Sequence, residues 1–228
     1  MKKLKAILFD LDDTLFLERD FVESGFSAVS NYLSSHYQLN KDDVFDELWN
    51  MFCSGRRGDL FNEIINSYSN LNITVKDLIK VYHQHIPKIK PIYGVIPLLD
   101  YLMKKQKLGL VSDGYLEVQK NKFSSLDLHK YFNSVLFTDE LGRNNWKPSI
   151  VPFEKTLDTL NVNPTESVYI ADNPEKDFKG PNKLGINTIR IRIEGGEYYN
   201  KRPQSPEYAP RKTVFSIKEL SQELGISI

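Results

Sequence analysis

Apolar residues follow two different patterns along the chain. Short continuous runs, each closed by a polar or charged residue, occur at 6–9 before Asp10, 108–111 before Ser112, 135–137 before Thr138 and Asp139, and 168–171 before Asp172. Continuous rather than alternating apolarity predicts strands buried on both faces. Between these runs the spacing becomes helical: Val95, Leu98, Leu99 and Leu102; then Val118, Phe123 and Leu126; then Ile150, Phe153, Leu157 and Leu160. Strands alternating with helices of this length predict right-handed crossovers and an α/β fold, a Rossmann-like three-layer α/β/α core around a parallel sheet. A fifth strand is expected at 188–193 and a closing helix at 217–224.

Residues 16–92 break this rhythm. They carry apolar and aromatic side chains at helical spacing (Phe21, Phe26, Val29, Leu33; Val44, Leu48, Met51; Ile64, Ile65, Tyr68; Leu78, Ile79, Tyr82) and no convincing strand. We expect a helical domain at 16–92, inserted after the first strand of a core made of 1–15 and 93–228. Pro87, Pro91 and Gly94 punctuate the return to the sheet. The stretch 195–210, rich in Gly, Tyr, Pro and Ser, reads as a long loop.

Composition narrows the class. The chain has 228 residues with 30 basic and 30 acidic side chains, so it lacks the electrostatic footprint that drives nucleic-acid binding. Its single Cys53 excludes an intrachain disulfide framework and suits a reducing compartment. Only four apolar residues separate Lys5 from Asp10, far short of a secretory segment, and no run is long enough to span a membrane. These features predict a soluble cytoplasmic protein with neither a nucleic-acid nor a membrane partner; they leave its oligomeric state open.

In an open parallel sheet, ligands bind beyond the carboxyl ends of the strands, where the strand order reverses. Asp10, Asp12, Ser112 and Asp172 all fall at or just past such ends. Three carboxylates drawn into one small volume repel each other unless a cation intervenes. Oxygen-only ligands point to Mg²⁺.

Taken together, these segments carry a family resemblance. Asp10-Leu11-Asp12-Asp13-Thr14 resembles the DxDxT signature of the haloacid dehalogenase-like hydrolase superfamily. Ser112-Asp113-Gly114 resembles its second motif, Lys147 its third and Asp172-Asn173-Pro174-Glu175-Lys176-Asp177 its acidic fourth, in the family's order. The insertion at 16–92 lies where members with a helical cap of the C1 type carry it. The resemblance implies that Asp10 is the nucleophile that becomes a phosphoaspartate. Asp12 would protonate the leaving oxygen and later activate water. It implies Mg²⁺ held by Asp10, the backbone carbonyl of Asp12 and Asp172. Ser112, the amides of Asp113 and Gly114, and Lys147 would bind the phosphoryl group. Asp177, Thr14 and Asn173 would support these groups from behind. Pro148 disfavours helical geometry at Lys147 and suits the first position of the following helix.

The second carboxylate discriminates within the superfamily. Members that release a halide need no acid at Asp12, so its presence favours phosphoryl transfer. The expected function is a Mg²⁺-dependent phosphatase acting on a small phosphorylated metabolite, either a sugar phosphate or a nucleoside monophosphate. The alternatives are a β-phosphoglucomutase-like phosphotransferase and a non-catalytic binding protein on the same fold. In capped members the cap selects the substrate, and Arg56 and Arg57, set between Gly55 and Gly58, are candidates to meet an anionic group. Arg190 and Arg192, on one face of a strand, are expected to form ordinary ion pairs, with a role facing the site as the alternative.

Overall fold

The computed structural model describes residues 4–68 and 71–226. Its chain divides into two compact units, one formed by Met1–Arg19 with Ile89–Ile228 and the other by Asp20–Lys88.

The first unit is built on a six-stranded sheet in which every adjacent pair is parallel. The strands are β1 (Ala6–Phe9), β2 (Lys107–Ser112), β3 (Ser134–Phe137), β4 (Ser167–Ala171), β5 (Asn187–Ile191) and β6 (Lys212–Val214), in the order β3-β2-β1-β4-β5-β6. The central strands are the continuous apolar runs of the sequence, and every residue of β1 and β4 is buried. Such strands have no wet face, so helices cover both sides of the sheet. One layer packs Ala6, Leu8, Val111, Tyr169 and Ala171 against Phe153, Leu157 and Leu160 of a helix at Val151–Leu160. That helix sits so close to β2 that a Cβ on Gly109 would lie 2.9 Å from Thr156 Cγ2. A glycine in mid-strand marks this approach.

Two sequence expectations need correction here. The fifth strand runs over Asn187–Ile191 rather than 188–193, and it is followed by β6, which the apolar pattern does not announce. Only three residues long, β6 pairs on one side alone, so it needs no long apolar run. Pro148 does not open a helix either. The chain turns through 146–149, the helix begins at Val151, and Pro152 is the proline in its first turn.

The second unit is helical. Its described helices comprise most of Glu18–Tyr37 together with Lys41–Cys53, Leu60–Ser67 and Val75–Gln84. Val22, Phe26, Val29, Leu33, Val44, Leu48, Leu60, Ile64 and Leu78 form its core, drawn from the helical stripes of the sequence. Local chemistry fixes the helix starts. Asn40 accepts a bond from the Asp42 amide, and Thr74 and Asp77 form a capping box. Ser69 and Asn70 lie outside the described residues. Among the described residues, no helix is long and apolar enough to cross a membrane.

Candidate active site

Strand β1 lies between β2 and β4, and the chain's winding order reverses beside it. The segments leaving these three strands therefore open onto one crevice at their carboxyl ends. Asp10 and Asp12 follow β1, Ser112 ends β2 and Asp172 follows β4. The Asp10 amide donates to Ile170 O at 2.9 Å, so the first acidic segment is held in register with the strand that delivers the fourth.

Lys147 is the hub of this crevice. Its side chain is fully buried, with Nζ 2.7 Å from Asp10 Oδ1, 2.8 Å from Asp177 Oδ1 and 3.1 Å from the Tyr169 hydroxyl. Tyr169 in turn donates to Asp177 Oδ1 at 3.2 Å. Burial alone would push the Lys147 ammonium down, but Asp10 and Asp177 outweigh it and hold the group well above its ordinary range. The same ammonium does not suffice for all the acids around it. Burial drives the Asp10 carboxyl up to about 7 against the pull of Lys147, with Asp177 adding repulsion. Burial, then Asp177, Asp13 and Asp10, hold Asp172 well above its ordinary value.

One carboxylate oxygen from each of Asp10, Asp172 and Asp177 lies within 4.8 Å of the other two. A buried, all-oxygen donor set with surplus negative charge fits a hard divalent cation. Asp12 contributes no side-chain oxygen to this cluster. Its carboxylate faces Lys122 Nζ at 3.0 Å and Gln119 Nε2 at 3.0 Å, which leaves its backbone carbonyl, the atom implied by the family resemblance, as the available donor.

The second motif lies alongside. Ser112 is fully buried and its hydroxyl has no hydrogen-bond partner among the described residues; the same holds for the Thr14 hydroxyl. A buried hydroxyl left unmatched costs about 1–3 kcal/mol, and such a group in a crevice suits a ligand oxygen. Gly114 has φ +143°, and a Cβ there would collide with the Gln119 side chain, so glycine is required beside the Asp113 and Gly114 amides. The Asp113 side chain turns away and acts as a bracket. It accepts from Thr138 Oγ1 at 2.7 Å and from the Lys147 amide at 3.2 Å, and pairs with Lys176 Nζ at 3.1 Å. One carboxylate thus ties the second, third and fourth motifs together.

Asn173 shapes the fourth motif through its backbone. Its amide donates to Asp177 Oδ2 at 2.9 Å while its side-chain oxygen accepts from the Glu175 amide at 2.8 Å. Asp13 bonds the Glu18 and Glu197 amides, both at 2.8 Å. Among the described residues, Arg190 and Arg192 form none of the expected ion pairs. Arg190 donates to the carbonyls of Asp172, Tyr198 and Lys201, and Arg192 to that of Tyr199, so both tie down the loop after β5. In the helical unit, Arg56 pairs with Asp59 at 2.6 Å and Glu63 at 3.0 Å. Arg57 donates to Phe52 O at 2.8 Å, and its guanidinium lies 3.9 Å from the centre of that ring.

Sequence reasoning missed Lys122, Gln119, Glu18, Thr138 and Tyr169, and gave Lys176 of the fourth motif no role of its own. Lys122 carried a usable signal. It lies between Val118 and Phe123 on the apolar stripe of its helix, where a charged residue is out of pattern.

The family model for haloacid dehalogenase-like hydrolases matches residues 7–191, and the chain belongs to that family. It is similar to the glyceraldehyde 3-phosphate phosphatase of Methanopyrus kandleri, 28% identical over 96% of this chain and 100% of the relative. The enzyme of the same name from Methanocaldococcus jannaschii is also 28% identical, over 95% of each chain. Among solved structures, the HAD-hydrolase YfnB of Bacillus subtilis shares the fold with a TM-score of 0.69, at 19% identity, over 99% of this chain and all of that one.

Proposed function

We propose that the protein is a Mg²⁺-dependent phosphatase of a small phosphomonoester, a sugar phosphate foremost, working through a phosphoaspartate on Asp10. The observation that carries this reading is the contact of Asp10 with buried Lys147 at 2.7 Å, inside a three-carboxylate cluster beside the unmatched hydroxyl of Ser112. The phosphoryl group is received by the Ser112 hydroxyl, the Asp113 and Gly114 amides and the Lys147 ammonium, all donors on the core unit. Asp10 attacks phosphorus, the bond to the leaving oxygen breaks, and Asp12 gives that oxygen its proton. Asp12, now a carboxylate, takes a proton from the water that releases phosphate and frees Asp10. Mg²⁺ held by Asp10, Asp172 and the Asp12 carbonyl would offset the charge between two anions that otherwise repel. Thr14 and Asn173 support these segments, and Arg56 and Arg57 are the helical unit's candidates for an anionic substrate group. Full-length similarity to enzymes named for glyceraldehyde 3-phosphate supports a short sugar phosphate.

The test is phosphate release from a panel of sugar phosphates and nucleoside monophosphates, with Mg²⁺ or with EDTA. We expect metal-dependent release, greatest on a short sugar phosphate, reduced at least about a thousandfold in Asp10→Asn. No release from any member with Mg²⁺ present would contradict the reading.

A further inference from the structure

Both carboxylate oxygens of Asp12 are taken by two side chains that none of the four motifs contains. Lys122 Nζ lies 3.0 Å from Oδ1 and Gln119 Nε2 lies 3.0 Å from Oδ2. The two donors sit three residues apart on one helix, Leu116–Ser125, and both are buried in the core unit. Each is itself fixed. Lys122 makes its closer contact with Glu18 Oε2 at 2.6 Å, and Gln119 Nε2 also donates to the Asp113 carbonyl at 2.8 Å.

A lysine side chain only 3% exposed is a costly occupant of a helix's inner face, where leucine would pack without penalty. Its carboxylate partners repay that cost only if the geometry is well defined, so the position of Asp12 is fixed from two sides. We infer that Lys122, anchored by Glu18 and assisted by Gln119, is a positioning residue that orients the Asp12 carboxyl for proton transfer to the leaving oxygen. The inference rests on the reading of Asp12 as proton donor. In that step Asp12, protonated in the substrate complex, passes its proton to the leaving oxygen as that oxygen's bond to phosphorus breaks and the bond from Asp10 forms, and it is left as the carboxylate that the two donors hold.

The signature of a misplaced acid is sensitivity to the leaving group. A nitrophenolate departs without help, whereas a phenolate needs its proton. The test compares kcat and KM of the Mg²⁺-loaded protein on p-nitrophenyl phosphate and phenyl phosphate for the wild type, Asp12→Asn, Lys122→Met and Gln119→Leu. We expect Lys122→Met to lower kcat on phenyl phosphate about tenfold more than on p-nitrophenyl phosphate, with KM changing less than about twofold. Gln119→Leu should shift in the same direction by a smaller factor, and it carries the test if Lys122→Met fails to fold by circular dichroism. Equal losses on both substrates in these two variants, while Asp12→Asn discriminates between them, would overturn the inference and leave the role of Asp12 intact. An Asp12→Asn variant that fails to discriminate would remove the proton-donor reading itself, and the inference with it.

Discussion

At the scale of single residues, the site is a problem of buried charge. Lys147 is in contact with both Asp10 and Asp177, and its side chain has no exposure to water. Replacing it with Met strands two buried carboxylates. We expect Lys147→Met to abolish phosphate release and to lower unfolding stability by about 3–5 kcal/mol in urea titrations near neutral pH. Asp113 gives a pH-dependent counterpart. Burial pushes its carboxyl up, but Lys147, Lys176 and the Thr138 bond outweigh that and hold it below its ordinary range. A depressed value in the folded state contributes stability that is complete above the unfolded value, about 3.9, and is lost as pH falls through the folded one. Asp113→Asn should therefore cost about 1–3 kcal/mol at neutral pH. The gap between variant and wild type should close below about pH 4 in the same titrations. A gap that persists there would mean the bracket acts by shape rather than by charge.

At the scale of elements, what the sequence reveals follows from how each element is buried. β1 and β4 are covered on both faces, and a strand with no wet face must be apolar throughout, so their runs are visible without any alignment. β6 pairs along one edge for three residues, and nothing in that burial demands a run. The same logic applies to the site. Asp10, Ser112 and Asp172 are legible because each interrupts an apolar run where a strand ends. Lys122 stands out of pattern on the apolar stripe of its helix, but its role, and that of Gln119, becomes visible only in their long-range contact with Asp12. Tyr169 reads as one more buried aromatic of β4 until its hydroxyl is seen between Lys147 and Asp177. Packing at this scale is testable in both units. Leu33 is fully buried in the helical core, and Leu33→Ala should cost about 2–5 kcal/mol in thermal or urea unfolding. In the sheet, a methyl at position 109 would meet Thr156, Leu160 and Leu8 at 2.9–3.3 Å. Gly109→Ala should accordingly destabilise by about 1–3 kcal/mol; an unchanged midpoint would show that the helix over β2 shifts freely.

At the scale of the whole molecule, the family assignment and the architecture converge on a hydrolase of phosphomonoesters, and the proposed cation is argued from the charge balance of the crevice. Burial raises Asp10 to about 7, and burial with the neighbouring acids holds Asp172 well above its ordinary value, so an added positive charge beside them would favour their ionised forms. Stripping divalent ions with EDTA should abolish phosphate release, and returning Mg²⁺ should restore it, with Ca²⁺ a poorer substitute because it favours larger, looser coordination. The charge balance of the chain, 30 basic against 30 acidic residues, adds no long-range attraction for a polyanion, in keeping with a small substrate recognised at close range. In the proposed reaction Asp10 itself carries the phosphoryl group between substrate and water. To test this, the Mg²⁺-loaded protein is mixed with its best substrate, quenched in acid within the first turnover, and the digested chain is mapped by mass spectrometry. We expect one added phosphoryl group on the peptide containing Asp10, present in the wild type and absent from Asp10→Asn. Rapid turnover with no modified peptide, or Asp10→Asn releasing phosphate at the wild-type rate, would contradict it.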